Sequence, residues 1–199
     1  MAPRHLVLEE LGDALAAVHA PDRLTRIGID GVDGAGKTSL AEEIAQLLTR
    51  RGRPCVRVSL DFFERPPAER FERGELSPEG YYLDGFDIER LRAHVWSIGG
   101  PAELVVVVDG IFLQRPELAD LWDATVWVDA DLEAAAERAR KRDSMRTDSL
   151  EQELERYRLR YFPAQRRYIE EQRPRDRATF LLRNTQLGEP ELLRQPRPR

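Results

Sequence analysis

The most concentrated chemistry in the sequence lies in Gly31-Val32-Asp33-Gly34-Ala35-Gly36-Lys37-Thr38, followed by Ser39. The spacing is G-x-x-x-x-G-K-[ST], and each part of it has a separate physical task. Gly31, Gly34 and Gly36 let the backbone bend until successive N–H groups, those of Ala35 and Ser39 included, converge on one anionic group. The positive end of the helix that follows adds to the same field. Lys37 supplies a point charge for the β- and γ-phosphates of a nucleotide, and the Thr38 hydroxyl is a hard oxygen ligand for Mg²⁺. Asp33 is unusual company, because a carboxylate repels phosphates unless it points away or meets a partner. It is expected to face the acceptor or a basic side chain. A plain glycine-rich turn could share this spacing, but here the strand Ile27-Gly28-Ile29-Asp30 precedes it and an amphipathic helix follows. That strand–loop–helix setting is the one a phosphate-binding P-loop requires.

Two further carboxylates stand at the ends of apolar runs. Leu104-Val105-Val106-Val107-Val108 leads into Asp109-Gly110 and reads as a Walker-B strand, with Asp109 at its carboxyl end, where open α/β sheets bind ligands. There it can hold the Mg²⁺ shell directly or through a water; a solvated turn aspartate is the bland reading. Cys55-Val56-Arg57-Val58-Ser59-Leu60 runs into Asp61-Phe62-Phe63, and Asp61 could accept or orient the proton of an incoming hydroxyl. It could also merely cap a turn. Asp131–Arg142 begins at an acidic cap and ends in Arg138, Arg140, Lys141 and Arg142, with Arg146 soon after. Basic residues there suit the helix dipole, or they form an arginine-bearing lid over a transferring phosphoryl group. His5, His19 and His94 show neither metal-ligand nor triad spacing.

Five β-leaning segments must position these groups: Arg26–Asp30, Cys55–Ser59, Leu104–Asp109, Thr125–Val128 and Thr179–Leu182. Helical patterns separate most of them, so the expected class is α/β: a three-layer, Rossmann-like P-loop NTPase fold with a mostly parallel five-stranded sheet and a helical lid. The clearest helix runs from Lys37 to Thr49, with Leu40, Ile44, Leu47 and Leu48 along one face and Gly52 and Pro54 closing it. Residues 1–25 read as an N-terminal helix packed on the core, with Leu8, Leu11, Leu15 and Val18 at helical spacing and Pro21 stopping it. The kinase domain is expected over 26–186, its lid around 131–150, and 187–199 as a flexible tail containing Pro190, Pro196 and Pro198.

Composition narrows the classes. A chain of 199 residues with a formal net charge of -5 has no global pull toward nucleic acid, and Cys55 is its only cysteine. No apolar run approaches the roughly 20 residues of a membrane span, so the expected compartment is the cytoplasm. The expected partners are ATP, Mg²⁺ and a small-molecule acceptor with a free hydroxyl, without nucleic acid or membrane; a homo-oligomer is left open.

Taken together, the residues resemble the uridine kinase-like branch of the P-loop kinases over about Ile27 to Asn184. The resemblance rests on the P-loop, on Ser59-Leu60-Asp61-Phe62-Phe63, and on Ser77-Pro78-Glu79-Gly80-Tyr81-Tyr82-Leu83-Asp84-Gly85-Phe86-Asp87. Val108-Asp109-Gly110-Ile111-Phe112 also carries it, as does Lys141-Arg142-Asp143 leading toward Tyr157, Pro163 and Asn184. It implies that Asp61 is the catalytic aspartate, Asp84 an acceptor-ribose contact, Asp109 the metal-associated acid, and Arg142 with Arg146 the lid arginines. Asp33, Phe63 and Tyr82 join Asp61 and Asp84 as candidate acceptor residues. Uridine kinases carry a base-holding hairpin before the Walker-B strand, where this chain has only Ile88 to Glu103, and Glu64 replaces a family tyrosine. The resemblance makes a nucleoside the favoured acceptor, these departures keep a non-nucleoside alcohol or a nucleotide monophosphate beside it, and a nucleotide-binding regulator without transfer activity is the reading from another class. The P-loop also looks like that of thymidylate kinases, but no Asp-Arg-Tyr or Asp-Arg-His signature follows strand two or the Walker-B strand.

Overall fold

A computed structural model of the chain describes residues 3–143, 150–186 and 188–194. The elements run α1 (Arg4–Ala16), β1 (Thr25–Gly31), α2 (Lys37–Arg50), β2 (Cys55–Ser59), α3 (Pro67–Arg70), α4 (Pro78–Asp84) and α5 (Ile88–Ser97). They continue with β3 (Val105–Gly110), β4 (Ala124–Asp129), α6 (Leu132–Asp143), α7 (Leu150–Arg156), α8 (Phe162–Gln172), α9 (Pro174–Arg177), β5 (Phe180–Arg183) and β6 (Glu191–Arg194). Leu60–Phe63 forms a 3₁₀ turn after β2, and Tyr157–Tyr161 a π-helical turn between α7 and α8.

The strand order is β2-β3-β1-β4-β5-β6; the first five strands are parallel and β6 returns antiparallel to β5. The sixth strand corrects the expected count of five and lies in the stretch read as tail. Two leucines account for it: Leu192 and Leu193 pair with Leu182 and Leu181 and pack against the core, while Arg183 and Glu191 form an ion pair beside them. Every residue of β1 and β3 is buried, as the unbroken valine run anticipates for strands covered on both faces.

Side-chain alternation then sorts β1 into two environments. Ile27 and Ile29 lie on the α2 face, in register with Val107 and Asp109 of β3. Arg26, Gly28 and Asp30 lie on the other face, against Trp96 of α5, Trp122 and Tyr168 of α8 respectively. The α1 helix covers α2, with Leu11 and Leu15 fully buried. One helix, α5, and a loop occupy the interval before β3, so among the described residues no strand pair stands where uridine kinases carry their hairpin.

Candidate active site

The P-loop leaves the carboxyl end of β1 and enters α2 at Lys37. Gly36, at φ 95°, is the N-cap and supplies no capping side chain, which leaves the first N–H groups of α2 open to an anion. Gly34 has φ 77°, and a Cβ on it would sit 1.9 Å from the carbonyl oxygen of Ala135. Only glycine fits there, because α6 rests directly on the loop. The loop is held from a second side by Asn184, just past β5: its Nδ2 donates to the Ala35 carbonyl at 2.8 Å, and its own N–H donates to the Asp129 carbonyl.

Opposite the helix start, the Thr38 hydroxyl donates to Asp109 Oδ2 at 2.9 Å. Asp109 is buried, and Arg57 Nη2 and Ser59 Oγ from the neighbouring β2 approach it at 3.4 and 3.5 Å. A hydroxyl and a carboxylate side by side form a hard-oxygen donor pair, which suits Mg²⁺, an ion that takes one or two protein ligands and shares its shell with waters and phosphates. The parallel register sets up this pair by bringing the ends of β1 and β3 level.

Lys37 Nζ donates to the Val32 carbonyl at 2.9 Å and stands 3.8 Å from Asp33 Oδ1. The other Asp33 oxygen accepts from the Tyr81 hydroxyl at 3.1 Å and from Gln165 Nε2 at 2.8 Å; the Asp33 N–H donates to Gln165 Oε1 at 3.2 Å. Asp33 thus meets a basic side chain, as expected, and also meets two partners the sequence did not disclose. Asp61 is the second residue of the 3₁₀ turn, its N–H donating to Ser59 Oγ. Although solvent reaches it, partial desolvation pushes its carboxyl above the usual aspartate range; Lys37 opposes the rise, and Asp33, Asp109 and Glu64 add to it. These groups therefore lie near one another at the carboxyl ends of β1, β2 and β3.

The other acceptor candidates divide. Asp84 ends α4 and is bound by Arg73 Nε at 2.6 Å. Tyr82 and Phe63 are both buried: Tyr82 packs edge-on to Phe112 and beside Tyr168, and Phe63 lies under Arg90 and against His94. Tyr81 is the tyrosine whose hydroxyl reaches the loop. Adjacent helical positions point about 100° apart, so a Tyr-Tyr pair cannot face one way. Arg146 lies outside the described residues, and of Arg142 only the helical backbone is described. Arg138, on the same helix, donates to the carbonyls of Ala134 and Asn184, and burial lowers its pKa.

Beneath the loop, Asp30 is fully buried and accepts from the Gly31 N–H at 2.8 Å, the Gln114 N–H at 3.2 Å and the Tyr168 hydroxyl. Desolvation outweighs these bonds and lifts its carboxyl to about 6. A cleft of about 940 Å³ between α6 and the α7–α8 segment is lined by none of these groups.

No family model matches the chain. A uridine kinase of Leuconostoc citreum (strain KM20) is 28% identical over 130 residues, which cover 53% of this chain and 61% of that protein. The chain thus spans less than two thirds of the length of the curated relative it matches. Among solved structures, a possible uridine kinase from Bacillus stearothermophilus aligns with a TM-score of 0.71 at 21% identity, covering 89% of this chain and 97% of that one. The two chains share one fold, a three-layer α/β architecture on a mostly parallel sheet. A candidate fructose transport system kinase from Silicibacter sp. TM1040 has the same fold, with a TM-score of 0.69 at 18% identity over 82% of this chain and 94% of that one. No helix among the described residues is long and apolar enough to cross a membrane.

Proposed function

We propose that the chain is a small-molecule kinase that transfers the γ-phosphate of ATP, with Mg²⁺, to a hydroxyl, and that a nucleoside is the favoured acceptor. The observation that carries the reading is the 2.9 Å pairing of Thr38 with Asp109 at the start of α2, next to Lys37. Bound ATP and Mg²⁺ would supply the phosphoryl group and a divalent charge close to it. Lys37 and the N–H groups opening α2 bind and orient the phosphates; Thr38 and Asp109 hold the metal shell; Asp61 takes or orients the hydroxyl proton, an effect worth about 10²–10⁴-fold for a positioned base. Asp84 is the proposed contact to acceptor hydroxyls, and Arg142 and Arg146 are the proposed lid cations.

A second reading, a non-nucleoside alcohol as acceptor, draws on one observation: α5 and a loop fill the interval in which uridine kinases place the base-holding hairpin. The experiment is an ADP-release screen of nucleosides, sugars and other small alcohols, followed by product mass. Acceptor-dependent ADP with one phosphoryl group added to a nucleoside supports the first reading, and the same gain on another alcohol supports the second. ADP release that no acceptor stimulates, with free phosphate as the product, would overturn both.

A further inference from the structure

Asp33 places a negative charge inside a loop built to bind negative charge. The structure shows how it is restrained. Gln165, 1% exposed on α8, grips it twice with opposite polarity: its carbonyl oxygen accepts from the Asp33 N–H and its amide nitrogen donates to Asp33 Oδ2. Flipping the amide would break both bonds, so the orientation of the Gln165 side chain is set. The Tyr81 hydroxyl donates to the same carboxylate oxygen. Tyr81 is itself fixed, with Tyr161 edge-on at 4.8 Å, Phe112 at 5.4 Å, and the Arg160 guanidinium 5.5 Å from its ring centre. Arg160 is buried and donates to the carbonyls of Arg70, Gly74, Glu75 and Ser77, which ties the turn between α3 and α4 to the π-helical turn. The free edge of the carboxylate, Oδ1, faces Lys37 at 3.8 Å.

We infer that Gln165 and Tyr81 are positioning residues that hold the Asp33 carboxylate out of the phosphate cradle and beside Lys37, so that a loop carrying an acid still binds a nucleoside polyphosphate. This rests on the phosphate-site reading of the loop. The cost of losing the restraint is electrostatic, because a freed carboxylate turns toward the phosphates, and it therefore depends on the charge of residue 33 and vanishes when that charge is removed.

The test is a titration of the full chain with ADP in the presence of Mg²⁺, followed by calorimetry, with melting curves to check folding. Gln165→Leu, close in size and without polar atoms, should weaken ADP binding about tenfold or more, the scale of a lost hydrogen bond to a charged group. Asp33→Asn should bind at least as tightly as the parent chain. In the Asp33→Asn background, Gln165→Leu should change affinity by less than about twofold, since no restrained charge remains. Tyr81→Phe, which removes one oxygen and keeps the ring, should show the same pattern with a smaller loss and serves if Gln165→Leu fails to fold. A loss that persists in the Asp33→Asn background would overturn the inference, as would unchanged affinity in both Gln165→Leu and Tyr81→Phe. Lys37→Ala separates the two levels: if it binds ADP as the parent does, the phosphate-site reading falls, whereas if it loses ADP while the Gln165 and Tyr81 variants do not, only the inference falls.

Discussion

Asp30→Asn tests the buried network under the P-loop through its effect on stability as a function of pH. The Asp30 carboxyl titrates at 3.8 in its ordinary state and at about 6 in the fold. Below 3.8 both folded and unfolded chains carry the proton, and this group imposes no penalty. As pH rises from about 4 to above 6 the unfolded chain ionises first, the folded chain follows at a disadvantage, and stability from this group is lost. The full difference is roughly 3 kcal/mol above the folded value, from 1.36 kcal/mol per pH unit. Asparagine keeps the shape, can still accept from the Gly31 N–H and meet the Tyr168 hydroxyl, and does not ionise. Urea unfolding of both chains from pH 4 to 8 should therefore show the variant gaining on the parent by roughly 3 kcal/mol, with the gain concentrated between pH 4 and 6.5. A difference that stays flat across that range would refute the reasoning, because the carboxyl would then titrate alike in both states.

Lys37→Ala should abolish acceptor-dependent ATP turnover while leaving the melting curve close to that of the parent, because Lys37 serves phosphates and its loss opens no core cavity; turnover in the folded variant would count against the site. Asp61→Asn should lower kcat by about 10²-fold or more with little change in ADP affinity. In the parent chain, activity should fall as pH drops through the raised Asp61 value, and a pH–rate profile of Asp61→Asn should lack that acid limb. Gly34→Ala should cost roughly 2 kcal/mol or more, since a Cβ at φ 77° meets the Ala135 carbonyl; a thermal melt showing no loss would mean that α6 yields freely. Leu15→Ala should destabilise the fold by about 2–5 kcal/mol in denaturant unfolding, as a fully buried leucine does, and a negligible loss would mean that α1 is not part of the core.

The sequence made visible what is local and periodic. The P-loop, the valine run ending in Asp109 and the Asp61-Phe62-Phe63 segment after β2 are contiguous signals, and the parallel sheet brought them to one edge. Long-range matters stayed hidden. Gln165 lies 132 residues from Asp33, and nothing in its neighbours distinguishes it from any other helical glutamine. That the Tyr81 hydroxyl meets Asp33 was equally hidden, because a Tyr-Tyr pair does not say which member reaches a residue 48 positions away. Asp30, read only as the end of a strand, becomes a buried acid because Tyr168 covers it from 138 residues away. The strand Glu191–Arg194 was missed because its two leucines are too few for a period and count only once β5 offers them partners.

The P-loop's attachments also set how the chain can open. Asn184 holds Ala35 from 149 residues downstream, Gln165 holds Asp33 from 132, and α6 rests on Gly34. Loosening the loop therefore means detaching it together from the segment just past β5, from α8 and from α6. The Asp33 amide should accordingly exchange its hydrogen on the slow timescale of the core, unlike the amides of an ordinary surface loop. A ligand seated on the loop would then slow the breathing of the whole domain, because the loop is the point at which distant stretches of chain are tied to one another.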